Sequence, residues 1–383
     1  MKRIICIMMC FCILISGELT ASAGTMRESD FGAYILTKEC PPEAYKYVTA
    51  LLEDFPSDVY KIGTNLYLGE PFVLLNENTD VELYYFPVIV DERVEYTYRV
   101  FYDTDWHYTL SKSLVLELNE ISKTSSRTNP AIIYVNDMGN ILLQNKDNYE
   151  VFIDLTEDST ISKTSYSVNN ISNLEANYET LYEELVRLGE YKIVNCNSAI
   201  KCMQISQINL NADSKNSSRP YQACYRTPTI LETQGSLPWC AGYVTAAIVS
   251  FKTGTNYYAQ DVADFAGAST TSTITRPECA QFARSKGLSQ TRVTVFDVDD
   301  EGMMDQIWNN GMVYVGAIKK GSLLSSHAFI ACGYCWSGSE IINWMVRNPW
   351  YNYYEYIGSD RIYTTANGTV YKKWEYFIID FTS

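Results

Sequence analysis

The stretch NADSKNSSRP, residues 211 to 220, is polar, small and closed by a proline, and it constrains the fold of this chain more than any other feature. A solvated linker at that point leaves two regions, each of which must bury a core of its own. At 383 residues the chain has room for both. Charge changes at the same place: Asp and Glu against Lys and Arg give +1 for residues 1 to 23, −14 for 24 to 219 and −2 for 220 to 383. The expected division is therefore 1–23, 24–215 and 216–383. Lys215 and Arg219 make the linker a place where a protease would cut, although an ordinary connection between domains reads the same way. The acidic balance argues against nucleic acid or an anionic membrane as partner.

Residues 1 to 23 start with Lys2 and Arg3, continue as an apolar stretch from Ile4 to about Ser16, and end at Ala21-Ser22-Ala23. That is the pattern of a secretory signal peptide. The apolar stretch is short for a membrane span, so the mature chain is expected to be exported, without a span, and monomeric. Three of the 11 cysteines fall in this segment, leaving Cys40, Cys196, Cys202, Cys224, Cys240, Cys279, Cys332 and Cys335. An exported chain permits disulfides, but spacing does not give their pairing. Cys332 and Cys335 form a lone CxxC without a histidine cluster, which reads as a structural bridge or two buried thiols and not as a metal site.

In the acidic region PEAYKYVTALLEDF has helical spacing. The runs VELYYFPVIVD, EYTYRVFYDTDWHYTL, SLVLELNEI, PAIIYVND and NILLQ then read as strands of an antiparallel sheet. NNISNLEANYETLYEELVRLGEYK reads as a further helix. Past the linker the order is helices first: WCAGYVTAAIVSFKTG stopped at Gly254, then AQDVADFAG, then RPECAQFARSKG with Pro277 in its first turn. DEGMMDQIWNNG is a fourth helix among the strand-like runs QTRVTVF, MVYVGAI, SHAFIACGYCW, EIINWMVRNPW and TVYKKWEYFIIDF. An α+β fold follows, with a helical part packed on an antiparallel sheet and a cleft between them, preceded by a mainly antiparallel β domain with flanking helices.

Cys240 opens the first helix after the linker, where free backbone N–H groups and the helix dipole stabilise a thiolate. A cysteine there can also be a small buried hydrophobe. A nucleophile needs a base, and the chain contains only His107 and His327. His107 lies among strand residues of the acidic region and reads as structural. His327 opens a strand 87 residues after Cys240, and Asn348 ends the next strand 21 residues later, the right distance to orient the imidazole. Trp350 is placed to cover that contact. Gln234, six residues before Cys240 across a Gly-Ser-Leu-Pro turn, is a candidate oxyanion donor.

Gln234, Trp239-Cys240, His327-Ala328 and Asn348-Pro349-Trp350 together resemble a papain-like cysteine peptidase. PWCAGY, HAFIACGY and RNPW are most similar to the staphopain branch of secreted bacterial enzymes, which are made as zymogens with an inhibitory propeptide. The resemblance covers about residues 222 to 383 and is weak before that. It implies a papain-like catalytic domain, Cys240 as nucleophile, His327 as general base, Asn348 as orienting residue and Gln234 as oxyanion donor. Trp239, Gly242 and Trp350 are candidate substrate contacts. The expectation is a secreted endopeptidase with a protein or peptide substrate, no metal or organic cofactor, and its own N-terminal domain as intramolecular inhibitor. The extra cysteines depart from that pattern. The alternatives are another thiol acyl-transfer enzyme, such as a cell-wall amidase or transglutaminase-like protein, and a non-catalytic secreted binding protein, for which the 31 tyrosines would suit a binding surface.

Overall fold

A computed structural model describes residues 32–52, 64–75, 81–135, 140–145, 149–153, six positions within 178–187, 191–204, 223–294, 298–322, 326–337 and 340–383. The expected signal peptide and the linker at 211–220 lie outside the described residues. The chain is α+β with mostly antiparallel sheets, and Gly32–Ser383 forms one compact unit.

The acidic region supplies strands β1 (Tyr34–Lys38), β2 (Asn65–Gly69), β3 (Phe72–Leu74), β4 (Leu83–Val90), β5 (Arg93–Tyr102), β6 (Trp106–Ser111), β7 (Ile132–Val135), β8 (Ile141–Gln144), β9 (Tyr149–Ile153), β10 (Tyr191–Asn195) and β11 (Ala199–Gln204). Helix α1 (Pro42–Leu51) starts on a proline, whose fixed φ suits a first helical position. SLVLELNEI forms no strand: Val115–Ile121 is helix α2. Val115, Leu118 and Ile121 are buried at helical spacing while Leu116 stands 73% exposed. The Asn119 side chain also bonds both backbone groups of Val94, serving a stretch of β5 that a strand would otherwise have paired. In the further expected helix, Tyr178, Thr180, Tyr182, Glu183, Leu185 and Arg187 are helical.

After the linker come β12 (Ala223–Tyr225), α3 (Cys240–Thr253), α4 (Ala259–Ala266), α5 (Arg276–Ser285), β13 (Arg292–Thr294), α6 (Asp300–Asn310), β14 (Val313–Lys319), β15 (Ser326–Ser337), β16 (Glu340–Arg347), β17 (Glu355–Gly358), β18 (Tyr363–Thr364) and β19 (Val370–Ile379). Local chemistry explains the helix limits. Helix α3 stops at Gly254, whose φ of 70° is strained for other residues. Thr275 and Glu278 form a capping box on α5, and Asp299 accepts from Gly302 N–H at the start of α6.

The two halves share one sheet in the order β11-β2-β4-β5-β6-β17-β16-β15-β14-β19-β13. The join is β6 on β17, antiparallel, with Leu110 opposite Tyr356 and Thr109 opposite Ile357. The cores are shared as well. Val48, Leu68, Phe86, Val100 and Leu110 pack in one cluster with Val244, Ile248, Phe282 and Ile330. The compositional boundary near residue 215 is thus a boundary of charge and polarity, while the fold runs across it.

Candidate active site

Strand pairing brings the candidate base and its partner together. In β15, His327 sits opposite Ala317 of β14, and β15 pairs with β16 so that Ile330 faces Arg347. Asn348 follows directly, where β16 turns into Pro349-Trp350. The Asn348 Oδ1 lies 2.9 Å from His327 Nε2 and accepts from Trp350 N–H at 3.1 Å. Asn348 Nδ2 donates to the Tyr363 hydroxyl at 2.8 Å. These contacts fix which end of the amide is oxygen. An oxygen can only accept, so the imidazole proton sits on Nε2 and Nδ1 keeps its lone pair.

Trp350 stacks on the imidazole at 3.9 Å between centroids and 18° between planes; Phe329 meets it edge-on at 4.8 Å. His327 is 4% exposed, and burial lowers its pKa to about 4, partly offset by Asn348.

Cys240 is the first residue of α3 and is half-buried. Burial pushes its thiol up, while the backbone N–H groups of Ala328, Ala241 and Cys240 itself pull it back. The Ala328 contact places the sulfur at the strand position next to His327. Burial thus favours the neutral form of both the thiol and the imidazole.

The segment before α3 is tied down at several points. Glu232 accepts from Ala259 N–H through its carboxylate and from Arg347 through its carbonyl oxygen. Gln234 N–H donates to Pro349 O at 2.7 Å, which sets Gln234 beside the turn that carries Asn348. One N–H of its side-chain amide goes to Leu237 O at 2.7 Å, holding the amide within the turn ahead of Cys240.

Two candidate substrate contacts are packing residues. Trp239 is buried, and its indole N–H is shared by the carbonyls of Ser269 and Ser272. Gly242 lets α3 approach Ile274, because a Cβ there would lie 2.7 Å from its Cδ1. Trp350 covers the imidazole. His107, at the far side of the β6–β17 join, meets Asp360 through Nδ1 at 2.5 Å. The eight cysteines among the described residues are unbridged thiols; Cys332 and Cys335 are two buried thiols, the former donating to Met345 O.

The chain matches no family model and no curated protein.

Three residues of its surroundings escaped the sequence reading: Tyr363, Glu355 and Arg99. Tyr363 donates to Glu355 Oε2 at 2.5 Å, and Glu355 Oε1 meets Arg99 Nη2 at 2.8 Å, with both charged side chains fully buried. Burial pushes the Glu355 carboxyl up and Arg99 pulls it back. Breaking such a pair by removing one partner costs about 3–5 kcal/mol. The available signal was a single charge inside each of two aromatic runs, YTYRVFY and YNYYEYIG. A charge in a strand buried on both faces needs a partner. No helix among the described residues is long and apolar enough to cross a membrane.

Proposed function

We propose that the chain is a secreted cysteine endopeptidase, of papain-like fold in its C-terminal half, made as a proenzyme with the N-terminal region as its intramolecular regulator. One observation carries this reading: an imidazole with Nε2 committed to an amide oxygen, capped by Trp350, one strand position from a thiol at a helix N-terminus.

Nδ1 of His327 takes the Cys240 proton as sulfur attacks the peptide carbonyl carbon. The carbonyl π pair moves to oxygen, which the Cys240 N–H and the Gln234 side-chain amide would meet. The imidazolium then protonates the leaving amine, the carbonyl re-forms, and the C–N bond breaks to give the thioester. Water, deprotonated by the same nitrogen, hydrolyses the thioester and restores the thiol. Asn348 keeps the imidazole in the plane these transfers need.

A neutral thiol beside a neutral imidazole would keep the proenzyme latent. A thiol pushed up and an imidazole pushed down by burial cannot exchange a proton readily; water entering after cleavage in the 211–220 linker would bring the two closer. The test is intact mass under mild reduction, wild type beside Cys240→Ala, with and without an irreversible epoxide peptidase inhibitor. A wild type that is cut in the linker and takes one adduct, with the variant doing neither, is the expected result. If both stay whole and unlabelled, the reading falls.

A further inference from the structure

The hydrogen bonds behind His327 continue past Asn348 and Tyr363 to a side chain from the other half of the chain. Arg99, on β5, donates through Nη2 to Glu355 Oε1 at 2.8 Å and to Thr364 O at 2.5 Å, and through Nη1 to Ser113 Oγ at 2.5 Å. Ser113 is itself bonded to the Tyr353 hydroxyl at 3.0 Å and to Ser111 Oγ at 2.8 Å. Arg99, Ser113, Glu355, Tyr363 and Asn348 are all buried. A guanidinium fully out of water, met by a carboxylate, a hydroxyl and a carbonyl, is a built arrangement with no part in packing alone.

We infer that Arg99 is a positioning residue for the Cys240–His327 site: by keeping Glu355 a carboxylate, it sets the direction of every hydrogen bond from Glu355 through Tyr363 and Asn348 to His327. The inference rests on the cysteine-peptidase reading for its consequence, but not for its geometry.

A carboxylate only accepts, so the Tyr363 O–H must point at Glu355 Oε2. The hydroxyl oxygen is then left to accept from Asn348 Nδ2, the amide oxygen faces His327, and the imidazole proton stays on Nε2. Nδ1 remains the base.

Without Arg99 the buried carboxyl takes a proton, and its O–H can donate to Tyr363. The Tyr363 O–H then turns towards Asn348 and favours a flipped amide, whose Nδ2 would face His327. The imidazole proton moves to Nδ1, and the base towards Cys240 is lost. Trp350 N–H, which donates to Asn348 Oδ1, opposes that flip, so a mixture of the two states results.

The test uses full-length protein with 15N-labelled histidine. The chain has only two histidines, so NMR reads the His327 tautomer directly and His107 is an internal control. Variants are Arg99→Met, Arg99→Lys as the conservative rescue, and Tyr363→Phe, which removes the relaying hydroxyl while keeping the ring. The expected result is the Nε2–H form of His327 in wild type and Arg99→Lys, and a mixed or Nδ1–H population in Arg99→Met and Tyr363→Phe, with His107 unchanged. After cleavage in the linker, with the N-terminal half still associated, kcat of the same variants for a peptide substrate falls about 100-fold while KM stays within about twofold.

A wild type already on Nδ1–H, or a folded Arg99→Met that keeps pure Nε2–H and full kcat, overturns the inference. Should Arg99→Met fail to fold, an unaltered tautomer in Tyr363→Phe overturns it equally. If wild type neither cleaves peptides nor takes the epoxide, the peptidase reading falls, and the tautomer measurement still decides the relay.

Discussion

His107 and His327 are both buried strand residues, and each holds an oxygen of a residue just outside a strand, yet they stand in regions built for different tasks. His107, on β6, meets the Asp360 carboxylate beyond β17 and packs against Phe101 at 5.1 Å; it fastens the two halves of the sheet together. His327 meets a neutral amide, lies under an indole, and has a thiol one strand position away. A charged partner supplies attraction. A neutral partner locked by its own neighbours supplies orientation and leaves the second ring nitrogen available for proton transfer. Residue type alone does not separate the two histidines; their partners do.

Loss of either member of the Cys240–His327 pair weighs most. Cys240→Ala or His327→Ala lowers kcat by about 10⁴-fold or more, whereas His107→Gln leaves kcat within about twofold, as measured by single-turnover peptide cleavage. Acid comes next. His327 has its pKa lowered to about 4 from an unfolded value near 6.5, so between those values the unfolded chain binds the extra proton. Stability falls as pH drops from about 6.5 towards 4, by up to about 3 kcal/mol, and unfolding in denaturant should show that component in wild type and lack it in His327→Gln. Asn348→Ala sharpens the contrast between an oriented and a loose imidazole: kcat falls about 100-fold with little change in KM. The smallest effect is at the join, where Asp360→Asn weakens the His107 contact and costs about 1 kcal/mol in thermal unfolding without touching kcat.

Much of the C-terminal half was legible because its signals are local. Gly254 and Pro277 mark helix ends within a few residues, and strand-like runs placed His327 and Asn348 on neighbouring strands. SLVLELNEI misled because Val, Leu and Ile suit either period. Only the Asn119 contact with the Val94 backbone and the outward Leu116 decide for helix. Trp239 and Gly242 adjoin Cys240 in sequence, while their packing partners Ser269, Ser272 and Ile274 lie too far along the chain for any local signal. The Arg99–Glu355 pair was illegible in principle, since nothing local in either run names a partner 256 residues away.

That separation also bears on how the molecule comes into being. While the chain is being made, β6 is an open sheet edge whose partner β17 does not yet exist. At about 5–20 residues per second, the 256 residues between Arg99 and Glu355 take roughly 10 to 50 s to synthesise. Over that interval the nascent N-terminal sheet carries an unmatched guanidinium and unsatisfied strand amides, which makes it a ready client for a holding chaperone and a site of chain-to-chain misassociation.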